Sequence, residues 1–181
     1  PNLTADDMKA IERMSTTIGM VDIWIGGGAP GSQDAIQRVF YRGERTRPML
    51  VMPPATVTPA GAIAFPITGG RVNTATFAGS VPHSGGISLT AGMTSVSLTD
   101  FIINVDEQPD LTAMLGDQRV SILNLDLSNL DAKVNGRKVT LSGAVGKLTA
   151  GAAAALNSAF GVTAFTEGLV LGTAQVNAVV R

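Results

Sequence analysis

Few residues in this chain could carry acid–base, nucleophilic or metal chemistry. The sequence of 181 residues contains one histidine, His83, one tyrosine, Tyr41, and no cysteine. The absence of cysteine excludes a thiol nucleophile, a thiolate-ligated metal and a disulfide framework. A serine triad would need His83, and the sequence has no Gly-x-Ser-x-Gly motif. We therefore predict a protein that is not an enzyme and that has no metal site.

Two short motifs match the pattern of a ligand site only in part. Residues 26–31 (GGGAPG) fit the GxGxxG spacing of a dinucleotide-binding turn, but Pro30 removes one of its backbone N–H groups and no βαβ units follow. Residues 106–110 (DEQPD) carry oxygen ligands suited to Ca²⁺, but their spacing matches no EF-hand loop. We interpret both motifs as turns, and a nucleotide-dependent enzyme is the least favoured alternative.

Four arginines form a basic cluster at positions Arg38, Arg42, Arg45 and Arg47. Such a cluster can bind phosphate or an acidic partner, because guanidinium groups match the geometry of these anions. The alternative is a solvated helix face or a salt-bridged edge between subunits. The formal net charge of the chain is −1, which does not fit a nucleic-acid binder. We predict an anion or partner patch and no nucleic-acid partner.

Charge is nearly absent from residues 48–99, where Arg71 is the only formal charge. A segment so rich in Thr, Ser, Gly and Ala is typical of β-structure with small polar side chains facing outward. Surfaces of this kind occur where chains pack against each other or against an apolar ligand. The pattern predicts a contact surface, and an ordinary sheet with a polar outer face is the alternative.

The first part of the chain shows a helical pattern followed by a proline-rich stretch. Thr4 can cap a helix, and apolar residues recur at helical spacing after it, which predicts a helix over residues 5–16. A second helix is predicted over residues 33–41. Prolines at 48, 53, 54 and 59 then disfavour helix and central strand. We predict two parts: an N-terminal helical and extended arm, residues 1–58, and a β-sandwich domain, residues 59–181.

The second part shows short strands at regular intervals. Turn signals separate them, the strongest being Asn135-Gly136. Thr149 is the predicted cap of a helix over residues 150–160, and Gly161 is its predicted C-terminal stop. Because no βαβ rhythm is present, the pattern predicts a mainly β protein. The expected fold is an antiparallel β-sandwich or barrel with one docked helix in the C-terminal region and an N-terminal helical arm.

Several phrases of residues 59–181 resemble a known group of proteins. They are GAIAFPITGG at 61–70, GSV at 79–81, HSGG at 83–86, LTA at 148–150, ALN at 155–157, FGV at 160–162, AF at 164–165 and GTA at 172–174. They resemble secreted, mostly actinobacterial β-proteins similar to the HtaA haem-binding domain. In that domain a tyrosine ligates haem and a histidine supports it. The resemblance implies that His83 is the supporting histidine, and Tyr41 is the candidate tyrosine.

Two functions follow from these observations. The first is a non-catalytic, secreted or cell-surface β-domain without a cofactor, which acts by self-association as a homo-oligomer or by partner binding. The alternative is a domain of HtaA-like type that binds haem or a small apolar ligand through Tyr41 and His83. No apolar run reaches 18 residues, so no membrane span is predicted, and the expected location is extracellular or at the cell surface.

Overall fold

The computed structural model describes residues 8–19, 49–59, 62–73 and 75–180. For residues 8–19 only the backbone is described. These residues form thirteen strands and one helix, α1, at Ala150–Phe160. The strands are β1 Met8–Gly19, β2 Met49–Met52, β3 Thr56–Val57, β4 Ile63–Ile67, β5 Arg71–Asn73, β6 Gly79–Pro82, β7 Gly86–Ala91, β8 Thr94–Val105, β9 Asp110–Leu115, β10 Gln118–Asp126, β11 Asp131–Asn135, β12 Lys138–Leu148 and β13 Val170–Val180. The predicted fold class is confirmed, since the described residues are mostly β with one helix.

The strands form one curled antiparallel sheet. Its main path runs β11-β12-β10-β9-β8-β6-β5-β1-β4-β3, and β13 pairs with both β1 and β12. The hairpin of β7 and β8 continues to β2, which pairs with β7. The apolar core lies on the concave side of this sheet and includes residues from β4, β8, β10, β12 and α1.

The turns between neighbouring strands form where the sequence indicates them. Gly92, Gly116 and Gly136 each adopt a positive φ close to 60° in a turn between two strands. Glycine suits these positions because a Cβ atom disfavours the left-handed region. In the first half of β8 the half-buried or buried positions carry Val96 and Leu98, and the exposed positions between them carry Ser95 and Ser97; a bulge between Thr99 and Ile102 then shifts the alternation, so that Phe101 and Ile103 are buried. This alternation fits the two-residue period of a half-buried strand.

The predicted helix α1 is confirmed, with both of its predicted ends. The Thr149 side chain accepts a hydrogen bond from the backbone N–H of Ala152, and Gly161 adopts the left-handed conformation at the C-terminal end. The buried face of α1 carries Ala152, Ala153 and Leu156, and the helix packs against β10 and β8. Small residues on this face allow the helix to approach the sheet closely.

The predicted helix over residues 5–16 is wrong, because residues 8–19 form strand β1. This strand pairs with β13 along most of its length, and with β4 and β5 on the other side. Pairing on both edges satisfies its backbone groups and outweighs the helical spacing of its apolar residues. The β-branched residues Thr16, Thr17 and Ile18 also favour a strand. The predicted helix over residues 33–41 lies outside the described residues.

The proline-rich stretch forms two short strands, β2 and β3, at free edges of the sheet. β2 pairs only with β7 and β3 only with β4 among the described strands. Proline lacks a backbone N–H, so its place beside edge strands is expected. Strands β1, β2 and β3 therefore extend the same sheet as the later strands, and the division into parts at residue 58 stays a prediction.

Candidate functional site

His83 lies at the point where three strands meet. It follows β6 directly, forms a bridge with Ile67 at the end of β4, and donates its backbone N–H to the carbonyl oxygen of Phe101 in β8 at 2.7 Å. The residue is 4% exposed. The ring of Phe101 packs edge-on against that of Phe65, with ring centres 4.9 Å apart. Backbone pairing on two sides therefore fixes the position of the histidine inside the fold.

Burial keeps the His83 imidazole neutral. Removal from water lowers its pKa from 6.5 to about 4, and hydrogen bonding with the backbone of Phe101 and Val81 opposes this shift only in part. Nδ1 lies 3.3 Å from the Phe101 carbonyl oxygen. A neutral imidazole has one N–H donor, and the backbone of both Phe101 and Val81 lies within hydrogen-bonding reach of the ring. The imidazole is thus a neutral, oriented hydrogen-bonding group.

The loop after His83 depends on a glycine. Gly85 has φ +91°, and a Cβ atom there would lie 2.6 Å from the backbone nitrogen of Ala55. Its carbonyl oxygen accepts a hydrogen bond from the N–H of Asp100, which is itself in a positive-φ conformation. The motif at 83–86 therefore lets the loop fit between β8 and the segment that joins β2 and β3.

An apolar cavity of about 110 Å³ lies inside the curled sheet, on the other side of Phe101. Phe65 and Phe101 form part of its wall, and His83 does not line it. The remaining lining comes from β4, β7–β10, β12, β13, α1 and the segment before β13: Ile63, Ile87, Leu89, Leu98, Ile103, Leu111, Ile122, Leu123, Leu125, Gly146, Leu148, Leu156, Phe165, Leu171, Gly172, Thr173 and Ala174. None of these described lining residues is charged, so the wall favours an uncharged ligand surface.

A larger groove of about 500 Å³ runs between α1 and the sheet. One side is formed by small residues of the helix, including Gly151, Ala155 and Ala159, which recur every four residues. The other side comes from the sheet: Val96, Leu98, Leu115, Val120, Ser121 and Ile122. This groove was not predicted from the sequence. The run of alanines at 152–155 was a signal for it, since small side chains leave space beside a helix.

Most of the predicted site residues lie outside the described part of the chain. These are Tyr41, the arginines Arg38, Arg42, Arg45 and Arg47, and residues 26–31. The structure therefore does not test whether Tyr41 and His83 come together. The acidic segment 106–110 is a hydrogen-bonded turn, in which the Asp106 carboxylate accepts from the N–H of Gln108. In the described ranges, no group of three or more His, Asp or Glu residues is placed to hold a metal ion.

The charge-poor segment has the outward polar face that its composition predicts. Two hydroxyl pairs link β7 and β8 on this face: Thr90 with Ser95 at 2.7 Å, and Ser97 with Ser88 at 3.3 Å. The same segment also exposes three large apolar side chains: Leu50, Val57 and Met93. Within the described residues, no helix is both long and apolar enough to cross a membrane.

The fold is similar to that of solved structures from Corynebacterium glutamicum. The C-terminal domain of HtaA matches with a TM-score of 0.64 and 16% identity, over 96% of this chain and 99% of that chain. A domain-swapped dimer of a variant of the same domain matches with a TM-score of 0.57 and 16% identity, over 87% and 98%. The haem-binding protein HtaB matches with a TM-score of 0.57 and 13% identity, over 96% and 95%.

These matches confirm the HtaA-like fold that the motifs of residues 59–181 predict. The likeness extends beyond those residues, since it covers 96% of the chain. Scans against protein-family models and curated proteins found no match. At 13–16% identity the likeness shows a shared fold, and the function has to be argued from individual residues.

Proposed function

We propose that this chain is a haem-binding domain of the HtaA-like type, the alternative that the sequence analysis raised. The observation that carries this proposal is His83, a buried neutral imidazole at the position that the motif resemblance assigns to a supporting histidine. The fold likeness to HtaB, a haem-binding protein, gives independent support. No catalytic step is proposed for any residue.

The described residues allow His83 to support a haem ligand. They do not offer room for the porphyrin in the inner cavity. That cavity, at about 110 Å³, is well below the roughly 300–1,000 Å³ of ordinary ligand pockets. Hydrogen bonding with the backbone of Phe101 and Val81 holds the imidazole ring in a fixed orientation, as a residue that supports a metal ligand requires. The haem iron can be ligated by a phenolate oxygen. Tyr41, the only phenol, is the residue we propose for that bond.

A haem titration followed by the Soret band tests the proposal. We expect a saturable band shift for the native chain, its loss in Tyr41→Phe, and weakening by roughly 10- to 100-fold in His83→Gln, as for other residues that support a metal ligand. Ser84→Ala is the matched control, because it changes the neighbouring residue and leaves the imidazole in place. Thermal unfolding of each variant separates lost binding from lost folding. Native-like haem binding in folded Tyr41→Phe would contradict the proposal.

Self-association, the main function predicted from the sequence, is a second proposal. It is supported by a domain-swapped dimer of a variant of the HtaA C-terminal domain, whose fold this chain shares. It is also supported by Leu50, which is 61% exposed on β2, a strand that pairs only with β7 among the described strands. An unpaired strand edge with an exposed apolar side chain can pair with another chain. We further propose a secreted or cell-surface location, on the resemblance of residues 59–181.

A further inference from the structure

The groove beside α1 is the outermost of three apolar spaces that lie in sequence along the inner face of β8. It shares Leu98, Ile122 and Leu156 with the 110 Å³ cavity. That cavity in turn shares Ile103 and Leu125, together with one alanine of β13, with a third space of about 50 Å³. Single layers of apolar side chains therefore separate the groove from the interior spaces.

Among the described residues, no charged side chain lines any of the three spaces. The Thr149 hydroxyl at the groove is already engaged, because it donates to the Ser121 carbonyl oxygen at 2.8 Å and accepts from the N–H of Ala152. A ligand in the groove therefore gains burial of apolar surface and little hydrogen bonding. This chemistry selects a hydrocarbon chain over a polar or charged molecule.

The shape of these spaces favours a long and narrow ligand. Between Val96 at the groove and Ile103 at the inner end, β8 spans seven residue steps, at most roughly 23 Å at about 3.3 Å per residue, because the bulge between Thr99 and Ile102 shortens the path. The groove itself, at about 500 Å³, lies within the roughly 300–1,000 Å³ of ordinary ligand sites. We propose that this groove binds the long fatty-acyl chain of a lipid, with the end of the chain directed past Leu156 towards the inner cavity.

This site is separate from the haem proposal. Among the described residues, the lining of the groove includes neither His83 nor Phe101. The two proposals therefore succeed or fail independently. Haem titration of each groove variant serves as the control for a general loss of binding.

Binding of cis-parinaric acid, a fluorescent long-chain fatty acid, tests the acyl-chain site. We expect saturable binding by the native chain, and similar affinity for its methyl ester, because the wall offers no charge to the carboxylate. Ala155→Trp fills the groove from an exposed helix position. Exclusion of about three methylenes from the groove predicts roughly 50-fold weaker binding.

Ala154→Trp is the matched control, since Ala154 is an exposed alanine of the same helix outside the lining. If Ala155→Trp does not fold, Gly151→Leu replaces it, because a Cβ atom at Gly151 meets no atom within 4 Å. Absence of saturable binding by the native chain overturns the proposal. Equal loss of affinity in Ala154→Trp and Ala155→Trp, or native affinity in both groove variants, overturns it as well.

Discussion

The neutral state of His83 predicts a specific pH dependence of stability. In the unfolded chain the imidazole titrates near its ordinary pKa of 6.5, and in the folded chain near about 4. Between these values the unfolded state binds a proton that the folded state does not bind, so the free energy of unfolding falls as the pH falls. The difference between a pKa of 6.5 in the unfolded chain and about 4 in the folded chain lowers the free energy of unfolding by about 3 kcal/mol. This decrease is nearly complete at pH 4. This is a large share of the roughly 5–15 kcal/mol that typical domains possess.

Urea denaturation at several pH values between about 7 and 4 measures this loss. In His83→Gln the part of the pH dependence that belongs to the imidazole should disappear, while the part due to carboxyl groups should remain. The hydrogen bond with Lys147 lowers the pKa of Asp126, so this carboxyl adds its own loss of stability from about pH 5 downward, and that part remains in His83→Gln. The chain has one histidine, so its ring signals in proton NMR report the same titration directly. A folded-state titration near pH 6.5, or equal pH dependence in the native chain and His83→Gln, would refute the reasoning.

Two further predictions concern the loop after His83 and the edge strand β2. Gly85→Ala should lower the free energy of unfolding by more than about 3 kcal/mol, because a Cβ atom there collides with the backbone of Ala55 in addition to the positive-φ strain. Gly92→Ala is the control, since its φ is also positive but its Cβ atom meets open space. In urea denaturation this control should cost only about 1 kcal/mol. Leu50→Lys should shift the sedimentation velocity profile from that of the native chain towards monomer, because it places a charge on the edge strand β2. Val134→Lys, on the exposed edge strand β11, is the control and should not do so. A native chain that remains monomeric at high concentration would contradict self-association.

The local parts of this fold could be predicted from the sequence because short-range chemistry determines them. Asn135-Gly136 forms the turn between β11 and β12, since it supplies the positive φ that such a turn needs. Thr149 and Gly161 mark the two ends of α1 because each satisfies a specific backbone requirement there. The alternation along β8 follows from one buried and one exposed face. Each of these features involves residues a few positions apart.

The features that could not be predicted depend on residues far apart in the chain. β1 has helical spacing, and its pairing with β13, at the other end of the chain, and with β4 and β5 makes it a strand. The pKa of His83 depends on the carbonyl oxygen of Phe101, 18 residues later, and on burial by several strands. The groove beside α1 exists because the helix packs across β8 and β10. No local pattern encodes these contacts.

Resonance Raman spectroscopy of the chain loaded with ferric haem tests the central claim most directly. Excitation into the phenolate-to-iron charge-transfer band should enhance an iron–oxygen stretch and tyrosinate ring modes in the native chain. Because Tyr41 is the only tyrosine, these modes have a single possible source and should be absent from Tyr41→Phe. A spectrum without tyrosinate modes, with nitrogen ligation that disappears in His83→Gln, would contradict the proposed roles of both residues.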